Sequence, residues 1–78
     1  MANLVKFESW LEWTAGFKRL ENLGYEIDGR RRVSSDYRDY LYQVKKYRYL
    51  LVDQENKTAM PYNFSIKNLP VINIKEVK

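Results

Sequence analysis

From residue 9 onward the apolar positions fall at helical spacing. Trp10, Trp13, Phe17 and Leu20 recur three and four residues apart and form one stripe, so both tryptophans are expected in the core. Ser9 with Glu12 fits the S-x-x-E box, in which each side chain satisfies an orphan amide at a helix start. Leu23 followed by Gly24 reads as a stop, and Tyr25 is placed to fold back on Leu20. Lys18 and Arg19 suit the end of the helix where the dipole favours cations. Gly16 costs about 1 kcal/mol relative to alanine inside a helix. It marks either close packing at that point or nothing at all.

The pattern then changes. Asp28-Gly29 is a hairpin signal between Tyr25 and Val33. A two-residue loop would put Arg30 and Arg32 on the face of Tyr25 and Ile27. A three-residue loop, pairing Tyr25 with Val33 and Glu26 with Arg32, is the expected register. The segment from Asp36 to Asp53 fits two patterns. As a helix, Tyr37, Tyr40, Leu41, Val44, Tyr47 and Leu51 make an inward stripe, with Ser34 or Ser35 as cap and Asp36 and Asp39 near the start. As strand, Tyr40, Tyr42 and Val44 alternate, then Tyr47, Tyr49 and Leu51 alternate with shifted parity, which would need a bulge near Lys45-Lys46. Tyrosine and valine content favours strand and the caps favour helix, so strand is expected for Tyr47 to Asp53 and Asp36 to Lys46 stays open.

The remainder reads as β. Gln54 to Lys57 is a turn, Thr58 to Ile66 a strand, and Pro61 confines the start of that strand to an edge or bulge position. Lys67 to Pro70 is another turn and Val71 to Ile74 a short last strand. The expected fold class is α+β in a single domain over residues 1–78. An N-terminal amphipathic helix packs on a small antiparallel sheet, with a second helix around residues 36–46 as the open alternative.

Composition narrows the chemistry. The 78 residues contain neither cysteine nor histidine, which excludes disulfides and thiolate or imidazole metal sites. No Asp/Glu cluster has calcium-loop spacing, so no metal or cofactor is expected. A chain this short buries only about 60–65% of its unfolded surface, so its core must rely on its 15% aromatic content or on self-association as a homo-oligomer. No apolar run approaches the roughly 18 residues of a membrane span, and no signal-peptide pattern opens the chain, so the expected location is cytoplasmic, with no membrane partner. Asn, Lys, Tyr and Ile make up about a third of the residues, the usage of an AT-rich bacterial or phage genome.

Charge is unevenly placed. Residues 30–50 hold seven of the fourteen basic side chains against two acidic ones, while the first 29 residues are net acidic. Five of the seven tyrosines lie in the same stretch. Cations neutralise phosphates and exposed rings stack on bases, so the stretch points to nucleic acid, RNA or single strands in preference to duplex. On a helix, Arg38, Tyr42, Lys45 and Tyr49 form an outward stripe with Lys46 beside it; Arg38 and Tyr42 also share a face as strand. Arg30, Arg31 and Arg32 read either as a phosphate clamp on the hairpin, since guanidinium grips phosphate in bidentate fashion, or as a solubilising turn partly neutralised by Glu26 and Asp28. The competing view is a solvated surface in which basic stems cover tyrosine rings. Without histidine or cysteine, catalysis has little support. The expectation is a non-enzymatic nucleic-acid-binding protein; the alternative is an inhibitor or adaptor, phage-encoded in type, that binds an acidic-surfaced protein and blocks a host enzyme. A toxin-like small ribonuclease working through Arg, Lys and Tyr is the third.

Overall fold

The computed structural model describes residues 2–64 and 69–78. Its elements run β1 (Ala2–Lys6), α1 (Trp10–Asn22), β2 (Glu26–Ile27), α2 (Ser35–Gln43), β3 (Tyr49–Asp53), β4 (Thr58–Tyr62), β5 (Val71–Ile72) and a short 3-10 turn at Ile74–Glu76. The fold is α+β, with α1 packed on a sheet of five strands among the described residues, in the order β2-β4-β3-β1-β5. The three central strands pair antiparallel, β1 with β3 and β3 with β4. Both edges are parallel, β5 on β1 and β2 on β4, so the sheet is mixed rather than wholly antiparallel. Parallel edges arise because β2 and β5 reach their neighbours through crossing connections, not hairpins.

Strand β1 has no counterpart among the sequence expectations. Leu4 and Val5 are adjacent and both buried, so the strand lacks the alternation that marks a half-exposed one. Cross-strand partners share a face, and the register puts Val5, Leu50, Val52, Ala59 and Ile27 together. All five are buried in one cluster with Trp13, Phe17 and Leu20 of α1 and Leu41 of α2. Burying each such aliphatic or aromatic side chain contributes about 1.5–3 kcal/mol. The Phe7 ring meets Trp13 edge-on at 5.4 Å, and Trp13 lies 4.8 Å from Phe17.

Helix α1 follows its caps. The Ser9 hydroxyl accepts from the Glu12 amide at 3.2 Å. The Glu12 carboxylate reaches back to the amide of Glu8, one residue further than the usual box. At its end, Tyr25 N–H donates to the Leu20 carbonyl and Gly24 N–H to Glu21, with Gly24 at φ 89°, which is the double bond of a Schellman motif. Trp10 departs from the expected core stripe. It is the first residue of the helix and is 39% exposed, its indole donating to Asp39 of α2, while Trp13 is fully buried.

The hairpin has a two-residue loop, not three. Ile27 and Arg30 exchange both backbone bonds, and Asp28 and Gly29 stand at φ 54° and 75°, the geometry of a type I′ turn. The expected conflict of faces does not arise, because the pairing stops at Arg30 and Arg32 never joins a strand. The open segment resolves as helix: the Ser34 hydroxyl accepts from the Tyr37 amide, and α2 runs to Gln43. The parity shift near Lys45-Lys46 is therefore the junction of helix and strand. Lys46, at φ 63°, reverses the chain there.

Pro61, on β4, pairs with Leu50 of β3, past the point where β2 covers β4 at Thr58 and Ala59. A residue without an N–H is tolerated where one side of the strand is open. The strand expected to reach Ile66, and the turn expected from Lys67, run into positions outside the described residues. The last strand ends at Ile72, because Asn73 caps the 3-10 turn through its side chain and takes Ile74 with it.

Candidate functional site

The structure separates the eight residues expected to form one basic-tyrosine face. Tyr42 is not outward. Its ring lies 5.6 Å from Trp13, and the Arg48 guanidinium sits 3.7 Å above it. The inward side of α2 centres on Leu41, which carries Tyr42 towards the core and turns Tyr40 and Val44 to solvent. Arg38 is partly buried and pairs with Asp39 at 3.2 Å. The Trp10 indole donates to the same carboxylate at 2.9 Å. That indole bond, with Arg38 beside it, holds the Asp39 carboxyl below its ordinary value of 3.8. The Arg38–Tyr42 pair is thus a brace between α1 and α2, with Trp13 Nε1 also donating to the Arg38 carbonyl. Tyr49 is not on a helix with them; it lies in β3 on the sheet face away from α1, in register with Lys6 and Tyr62.

Two groups remain open. In the first, Tyr37 is central. Its hydroxyl donates to the Asp28 carboxylate of the turn, and that bond, aided by burial, holds the phenol above its ordinary value of 10. The Arg30 guanidinium lies 3.8 Å from its ring centroid. The Tyr40 ring lies 6.3 Å away and nearly parallel, and is 42% exposed. Arg31 and Arg32 follow Arg30, both exposed, and line a cleft of about 210 Å³ with Glu21, Asn22, Gly24 and Tyr25. Glu21 does not pair with them: its carboxylate accepts from the Val33 amide at 2.6 Å.

The second group lies at the start of β3. Lys45 and Lys46 are exposed in the loop that leads to Tyr47. Tyr47, Pro61, Tyr62, Asn63 and Phe64 enclose a shallow recess. Among the described residues, Arg31, Arg32, Lys45 and Lys46 form no ion pair. The helical spacing predicts Tyr37, Tyr40 and Tyr47 in a buried stripe, and Tyr62 and Phe64 only in a strand. Tyr62 ends β4 and Phe64 follows it in a bend, which brings their ring centroids to 5.8 Å.

Among the described residues, no three acidic side chains group as a metal site, and no helix is long and apolar enough to cross a membrane. No protein-family model matches the chain, and no curated protein or solved structure does either.

Proposed function

We propose that this is a non-enzymatic protein that binds single-stranded nucleic acid through its basic, tyrosine-bearing surface. The observation that carries the reading is the Arg30–Tyr37–Tyr40 group, whose outer ring is open, followed by Arg31 and Arg32, which form no ion pair among the described residues. A ring held by its neighbours meets a base without first losing side-chain freedom, and each stacked base contributes about 1–3 kcal/mol. Arginine and lysine that pair with no carboxylate supply the phosphate contacts, and releasing counterions from the strand makes such binding salt-dependent.

The test is fluorescence anisotropy with a labelled mixed-sequence RNA at several salt concentrations. Binding is expected at low salt. Neutralising Arg31 or Lys46 to Gln lowers the slope of log affinity against log salt by about 1. Affinity weaker than about 10⁻⁴ M at low salt sinks the proposal. The RNA is recovered at full length; shortened RNA points instead to a small ribonuclease.

A protein partner is the second reading, favoured by Leu11 and Val44, which are 71% and 64% exposed on the helical layer beside Trp10 and Tyr40. Aliphatic side chains in the open serve an interface better than a phosphate backbone. Stoichiometric co-purification of one protein through a high-salt wash, with no nucleic-acid absorbance at 260 nm, would select this reading.

A further inference from the structure

We infer that the recess between Tyr47, Pro61, Tyr62, Asn63 and Phe64 receives one unpaired base of a single-stranded nucleic acid. The inference rests on the nucleic-acid reading above and gives that ligand a point of capture. The recess has a volume of about 260 Å³. That lies below the roughly 300–1,000 Å³ of sites for drug-sized molecules, so it suits a single flat ring system.

Its walls suit such a ring. The Tyr62 and Phe64 centroids are 5.8 Å apart with their planes at 53°. A base stacked on one ring meets the other at an angle, an arrangement aromatic groups favour over a face-to-face sandwich. Phe64 is 62% exposed. A phenylalanine this open in a small chain leaves apolar area uncovered, and a stacked base covers it. Asn63 carries an amide with two donors and an acceptor, the complement of a base edge.

Charge selects the occupant. Lys45 and Lys46 directly precede Tyr47, are exposed, and form no ion pair among the described residues. Tyr49 continues the aromatic surface from Tyr62 across to β3, ending at Lys6. An aromatic recess beside unpaired lysines fits a base on a phosphate chain better than an apolar peptide side chain, which gains nothing from the cations.

The experiment uses the full chain, a single-stranded RNA of about eight nucleotides, and a duplex of the same length. Phe64→Ala is expected to weaken single-strand binding by about 5- to 150-fold and to leave duplex binding within about twofold, and Phe64→Trp to restore it. Thermal melts check that each variant is folded. If Phe64→Ala binds the single strand as the parent does, while Arg31→Gln and Lys46→Gln bind more weakly, the recess is not the base site and the broader reading stands. If Phe64→Ala weakens strand and duplex equally, the residue shapes the surface and does not capture a base. A parent protein that binds neither RNA removes the broader reading, and this inference with it.

Discussion

A methyl group at position 16 has nowhere to go. A Cβ built on Gly16 would stand 2.4 Å from Phe7 Cε1, and Phe7 is itself buried against Trp13. Two effects oppose each other in Gly16→Ala. Helix propensity favours alanine by about 1 kcal/mol, whereas forcing a packed ring aside costs about 1–3 kcal/mol. The ring is wedged, so the cost wins, and the melting temperature is expected to fall by about 5–10 °C. A rise would mean that Phe7 has room to move. The position was legible in the sequence as an expensive glycine inside a strong helix; the reason for the expense was not, because Phe7 reaches it from outside the helix. Trp10 and Trp13 show the opposite case. They share a stripe, yet only Trp13 joins the core cluster with Val5, Leu50 and Val52, and periodicity alone does not say which end of a stripe is covered.

Between elements, the Tyr37 hydroxyl ties the β2 turn to α2 through Asp28. The bond holds the phenol above its ordinary value of 10, so its stabilisation is complete below about pH 10 and is lost as pH rises through the folded-state value. Urea midpoints should therefore show a margin of about 1 kcal/mol over Tyr37→Phe at pH 8, shrinking at pH values above 10. A margin that stays constant into the alkaline range would show that the bond does not matter. Helix α1 was readable because its cap, stripe and stop agree. Helix α2 was readable only as one of two patterns. Its tyrosines suit either state, and its inward side is set by contacts with Trp13 and Arg48, which lie outside its own sequence. That is why Tyr42 was expected outside and Tyr40 inside. β1 left no readable pattern, since both its faces are covered at Leu4 and Val5.

Across the molecule, two meetings of distant parts of the chain have testable or kinetic consequences. One is the Arg19 guanidinium, which donates to the carbonyls of Ile74, Lys75 and Val77 at 2.9–3.1 Å. Val77 is fully buried beneath this clamp, and the Tyr25 hydroxyl adds a bond to Lys78. Arg19→Leu leaves those carbonyls without their donor and is expected to cost about 2 kcal/mol. Hydrogen exchange should show protection lost first around residues 71–78, with the middle of α1 unaffected. Equal loss everywhere would mean the clamp is part of the global core. The other meeting is β1, which sits between β3 and β5 although it precedes both in the chain. During synthesis it emerges with neither neighbour available, so the sheet cannot close until residues 71–72 have followed. Long-range pairing of this kind slows folding, so a slow phase for a chain of this size is expected in stopped-flow refolding. A ribosome that stalls before residue 71 releases a chain with the β1 edge bare at Leu4 and Val5, an open template for aggregation.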